Sequence, residues 1–136
     1  MQGYFDSDGN PKVLLEIEGT KSAHIVKIPA LFDTGHNGSL SLTVLQLIEI
    51  GAVLATTGIV EYANGQKGAV LYFNVKVRID GEIKEVLASM IENPDSDEAI
   101  AGLELFTPYV SVIDFVDKKI AFMKKEDFEK LGTKKK

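Results

Sequence analysis

Three of the four Asx-Gly pairs, Asp8-Gly9, Asn64-Gly65 and Asp80-Gly81, cut the 136-residue chain into short runs of β-type patterning. Glycine enters left-handed backbone conformations at little steric cost, and Asn or Asp before it favours a tight reversal. The first pair, with Asn10-Pro11, reads as a turn into residues 12–18, where Val13, Leu15 and Ile17 alternate with Glu16 and Glu18, as a half-buried strand requires. Gly19-Thr20-Lys21-Ser22 then turns the chain into residues 23–32, whose Pro29 cannot donate to a ladder and so marks an edge or a bend. Residues 58–62 and 68–73 predict a hairpin about Asn64-Gly65, and residues 74–79 and 82–91 a second one about Asp80-Gly81. A final hairpin is expected from residues 110–115 and 120–122, turning at Asp117-Lys118-Lys119. Helix signals are few. Thr43 with Gln46 three residues on suggests a capping box, Gly51 a stop, and residues 126–131 a terminal turn or two. The expectation is a mostly β chain, a small barrel or sandwich with one or two short helices.

Composition narrows the function. The length and the 45% apolar content fit one core, not two. A net charge of −5 argues against a nucleic-acid or anionic-membrane partner, which would need a cationic face. Basic residues gather only in the tail, 124–136, taken as a solvated end beside a domain at 1–123. No cysteine is present, so disulfides, thiolate nucleophiles and cysteine-bound metals are absent together. Two histidines without His-x-x-x-His spacing argue against a metal site, and no cofactor is expected. The first residues have neither the positive start nor the apolar core of a signal peptide, and no apolar run approaches the roughly 20 residues of a membrane span. A cytoplasmic soluble protein is the expectation.

The chemistry concentrates at Ala30-Leu31-Phe32-Asp33-Thr34-Gly35-His36-Asn37-Gly38. An apolar strand buries Phe32 and delivers Asp33 to its end beside a low-dielectric wall, where a carboxyl needs a partner or a task. Glycines 35 and 38 let the loop turn back. Phe32-Asp33-Thr34-Gly35 after a β run, then a short helix, a hairpin at Asn64-Gly65, the segment Ile100-Ala101-Gly102 and the closing Val112-Ile113-Asp114-Phe115 together resemble the retroviral-type, retropepsin-like (clan AA) aspartic proteases, in particular the small prokaryotic single-domain ones. The likeness runs from about Gly9 to Phe122.

That resemblance implies a closed acid-protease barrel with Asp33, Thr34 and Gly35 as the catalytic loop. It further implies His36, Tyr62, Ala63, Asn64 and Gly65 as substrate-binding residues, the last four on a flap, and Ile100, Ala101 and Gly102 as support behind the loop. Peptide hydrolysis by this route uses two carboxylates about 3 Å apart sharing one proton, one acting as base toward water while the other donates to the carbonyl oxygen. The chain holds one Asp-Thr-Gly copy. The second carboxylate must then come from a second subunit across a two-fold axis, so a homodimeric endopeptidase acting on peptide is implied. The alternative is a dimeric module of the same fold that binds peptide without cleaving it, which His36 beside the site would favour. A third reading leaves Asp33 as a structural turn residue in an unrelated barrel.

Overall fold

The computed structural model describes residues 1–20 and 24–133. The turn expected through Lys21 and Ser22, and the basic end from Lys134 to Lys136, lie outside the described residues.

Strand β1 (Gln2–Phe5) is followed by β2 (Pro11–Gly19), β3 (Ile25–Phe32), β4 (Leu40–Leu42), helix α1 (Val44–Ile50), β5 (Val53–Glu61), β6 (Lys67–Ile79), β7 (Glu82–Met90) and β8 (Ala99–Ala101). A 3-10 turn at Leu103–Phe106, β9 (Tyr109–Asp114), β10 (Lys119–Lys124) and helix α2 (Lys125–Thr133) complete the chain. The strands form one sheet in the order β5-β6-β7-β4-β8-β3-β2-β1-β10-β9. A further pairing, Glu16 with Arg78 through Gly19 with Val75, joins β2 to β6. This closes β6, β7, β4, β8, β3 and β2 into a six-strand barrel and leaves no open edge around its core. The expected mostly β closed barrel with two short helices is what the chain forms.

Alternation explains the core. Val13, Leu15 and Ile17 of β2 point inward with Ile28, Ala30 and Phe32 of β3 and Val75, Val77 and Ile79 of β6, all buried. Glu18, expected on the polar face, is buried as well. Its neighbour Gly19 passes so close to the end of α1 that an added Cβ would stand 2.7 Å from Gly51 O, and Glu18 Oε1 takes Arg78 Nη2 at 3.5 Å. Pro29 sits in an interior strand. Its partner β8 begins only at Ala30 with Ala99, however, so the β8 side of Pro29 is a local edge that needs no donor there.

Helix α1 is capped as its sequence suggests. Thr43 Oγ1 accepts from Gln46 N–H, Gln46 Oε1 accepts from Thr43 N–H, and Gly51 takes the left-handed conformation (φ +72°). Residues 68–73 and 74–79, expected as strands of two separate hairpins, are one continuous strand of 13 residues, because nothing at Phe73-Asn74 breaks the alternation. No described helix is long and apolar enough to cross a membrane.

Candidate active site

A strand crossing builds the site. Strands β3 and β4 are consecutive in sequence yet do not pair. Strand β8 lies between them, parallel to β3 and antiparallel to β4. Residues 33–39 must therefore arch over the end of β8, and three backbone hydrogen bonds fasten the arch. Asp33 N–H donates to Ala101 O (3.0 Å), Gly102 N–H to Ser39 O (2.9 Å) and Leu103 N–H to His36 O (2.9 Å). The contact tolerates no side chain at position 102, where a Cβ would stand 2.7 Å from His36 O and 2.6 Å from its Cδ2. Asp33, Thr34, Gly35 and His36 are thus brought together with Ile100, Ala101 and Gly102.

Within the loop Gly35 N–H donates to Asp33 Oδ1 (2.9 Å), while Oδ2 bonds to no described residue. Beneath it Phe32 packs edge-on against Phe106 (5.3 Å) and Phe122 (5.1 Å), whose rings stack on one another at 4.4 Å. This aromatic base ties the 3-10 turn and β10 to the root of the loop. The strand leaves Asp33 less desolvated than its sequence context suggests. Asp33 is half-buried and Thr34 and Gly35 are exposed, because this chain walls the loop on the barrel side alone.

His36 turns toward the barrel. Its Nε2 lies 3.2 Å from Ser41 Oγ, which lies 2.6 Å from Ser89 Oγ, and Ser89 donates to Leu40 O at 3.5 Å. These contacts tie the loop to β4 and β7. Neither serine stood out in the sequence, since each sits as a small polar residue in an otherwise extended run.

The β5–β6 hairpin projects beyond the barrel. Its tip is Tyr62-Ala63-Asn64-Gly65, with Gly65 N–H donating to Tyr62 O (2.9 Å) and Gly65 at φ +81°. Tyr62 and Tyr72 lie across glycines 68 and 58, where an added Cβ would meet each ring at 2.8 Å. A groove of about 410 Å³ runs between this hairpin and the loop. It is lined by His36, Gly38 and Ser39 on one side and Val60, Tyr62, Val70 and Tyr72 on the other, with Leu87, Met90 and Glu92 along the floor. Of the expected binding residues, His36 and Tyr62 line the groove. Ala63, Asn64 and Gly65 form the exposed tip and do not line it. A larger hollow of about 480 Å³ lies between β9 and α2, lined by Glu82, Tyr109, Lys124 and Glu126, remote from any residue of the loop. Among the described residues no group of His, Asp and Glu is placed to hold a metal ion.

No family model matches the chain, and no curated protein matches it. Among solved structures it is similar to EIAV protease, a retroviral protease, in complex with the inhibitor HBY-793. The TM-score is 0.53 at 14% identity, covering 76% of this chain and 90% of that one. At that identity the likeness shows the fold: the chain has a retropepsin-like acid-protease fold.

Proposed function

We propose that the protein is an aspartic endopeptidase that works as a homodimer, with one Asp33 from each subunit. The observation that carries this reading is the placement of Asp33-Thr34-Gly35 on the arch over β8, in a fold similar to that of a retroviral protease, next to a groove that is open for an extended peptide. Asp33 Oδ1 is oriented by Gly35 N–H and Oδ2 is free to act, as a base or a proton donor requires. Half-exposure of Asp33 and full exposure of Thr34 suit a surface that a second subunit covers. Across the two-fold axis the carboxylates share one proton, because two like charges so close do not both ionise. One then takes the proton of a water attacking the peptide carbonyl, and the other donates to its oxygen. The His36 ring meets Ser41 while its backbone N–H donates to Asp33 O, an arrangement that favours the catalytic reading over a binding-only module. Ile100, Ala101 and Gly102 serve as the backing of the loop.

Asp33→Asn tests the assignment. The amide is nearly isosteric but cannot act as base, so cleavage of a peptide library should vanish while the thermal midpoint and the dimer persist. Wild-type turnover in Asp33→Asn would refute the peptidase reading.

A further inference from the structure

The groove beside the loop has a charge that the catalytic reading does not use. Its lining includes the aliphatic Val60 and Val70 from the hairpin and Leu87 and Met90 from β7, beside the hydroxyls of Tyr62, Tyr72 and Ser89. Of the Asp, Glu, His, Lys and Arg side chains, His36 and Glu92 line it, and no Lys or Arg does. His36 is occupied at Nε2 by Ser41. Glu92 makes no ion pair or hydrogen bond among the described residues, whereas Glu98, later in the same acidic loop, is paired with Lys12. The groove thus combines aliphatic surface with a carboxylate that has no partner among the described residues.

Resting on the reading of this groove as a peptide site, we infer that it is a subsite for a lysine or arginine side chain, with Glu92 as the specificity-determining residue. The shape suits such a side chain, because its methylene stem lies along apolar surface while its charged head stays at the polar end. The alternatives fit less well. An apolar side chain would cover the aliphatic lining but gain nothing from Glu92. An acidic one would meet like charge. The chain's net charge of −5 also draws cationic peptide toward the protein over distance. Glu92 is exposed, which limits the preference to about three- to fivefold at low salt.

The test uses Asp33→Asn protein, so that binding is read without turnover, and a positional-scanning set of extended peptides that differ by Lys, norleucine or Glu at one place. Fluorescence anisotropy should show, at one place in the peptide, Lys bound about three- to fivefold tighter than norleucine and Glu weakest. Glu92→Gln should erase the Lys advantage without weakening the norleucine peptide, and Glu92→Lys should turn the preference toward Glu. A Lys preference that survives Glu92→Gln, or no Lys preference at any place, overturns the subsite. The two readings fail differently. Peptides cleaved by the wild type with no Lys preference reject the subsite alone, while a set that is neither bound nor cleaved rejects the peptide site and the subsite together.

Discussion

Gly102 carries the tightest steric demand in the site, since His36 O and Gly38 O converge on the place a Cβ would take. Gly102→Ala must therefore push the loop off β8 and break its bonds from Gly102 N–H and Leu103 N–H. A loss of about 1–3 kcal/mol in urea denaturation is expected, together with loss of peptide cleavage. Gly65→Ala is the control, because nothing lies within 4 Å of its Cβ but its φ is +81°. It should cost about 1–2 kcal/mol through backbone strain alone and leave the loop intact. Unchanged cleavage in Gly102→Ala would contradict the role given to the arch. The sequence singles out Asp33, Gly35 and Gly102 through their motifs, although the steric reason for glycine at 102 lies in His36 and Gly38, more than sixty residues earlier. It did not carry Ser41, Ser89 or Glu92, whose parts depend on β7 lying beside β4, a pairing separated by more than forty residues.

At the scale of elements, two hairpins make opposite predictions. The β9–β10 turn is held by Asp114, whose Oδ1 accepts from Asp117 N–H (3.0 Å) and Val116 N–H (2.9 Å). Those two bonds, Asp117's first, hold the Asp114 carboxyl below its usual range. A lowered folded value means that its contribution to stability is present above the ordinary carboxylate pKa of about 3.9 and is lost as pH falls through the folded value. Asp114→Asn, with an amide that still accepts but no longer titrates, should flatten the fall of the thermal midpoint in that acid window. An unchanged acid limb would count against it. The β5–β6 hairpin is the opposite case. Residues 61–67 are all exposed, so little burial resists local opening. Amide exchange there should be fast in the free protein and slow when a peptide mimic binds, and equal rates in both states would argue against a closing flap. Turn chemistry was legible here. Asp80-Gly81 takes left-handed values at both residues (φ +50° and +81°), as a two-residue hairpin loop demands. At the other tip only Gly65 does, because the reversal is a four-residue turn, Tyr62 to Gly65, that ends in a left-handed glycine. Strand β1 has too few residues to show alternation of its own, and it pairs both β2 across the Asp8-Gly9 turn and β10 more than a hundred residues away.

At the scale of the whole molecule, what local pattern could not supply is the order of the strands. Barrel closure rests on β2 meeting β6 and β3 meeting β8, and nothing in the alternation of either partner names the other. The resemblance of the motifs in series implies a closed acid-protease barrel without its strand order, and the structure has that barrel. Dimerisation belongs to this scale too, and it is tested most directly by mixing subunits. Wild-type protein is dissociated and reassociated with an equal amount of Asp33→Asn protein, and cleavage is measured at a fixed amount of wild-type chain. If each site needs one Asp33 from each subunit, random pairing leaves about half of the original activity, and excess variant drives it toward zero. Activity that stays constant however much Asp33→Asn protein is added would show that a single chain suffices and would contradict the shared site.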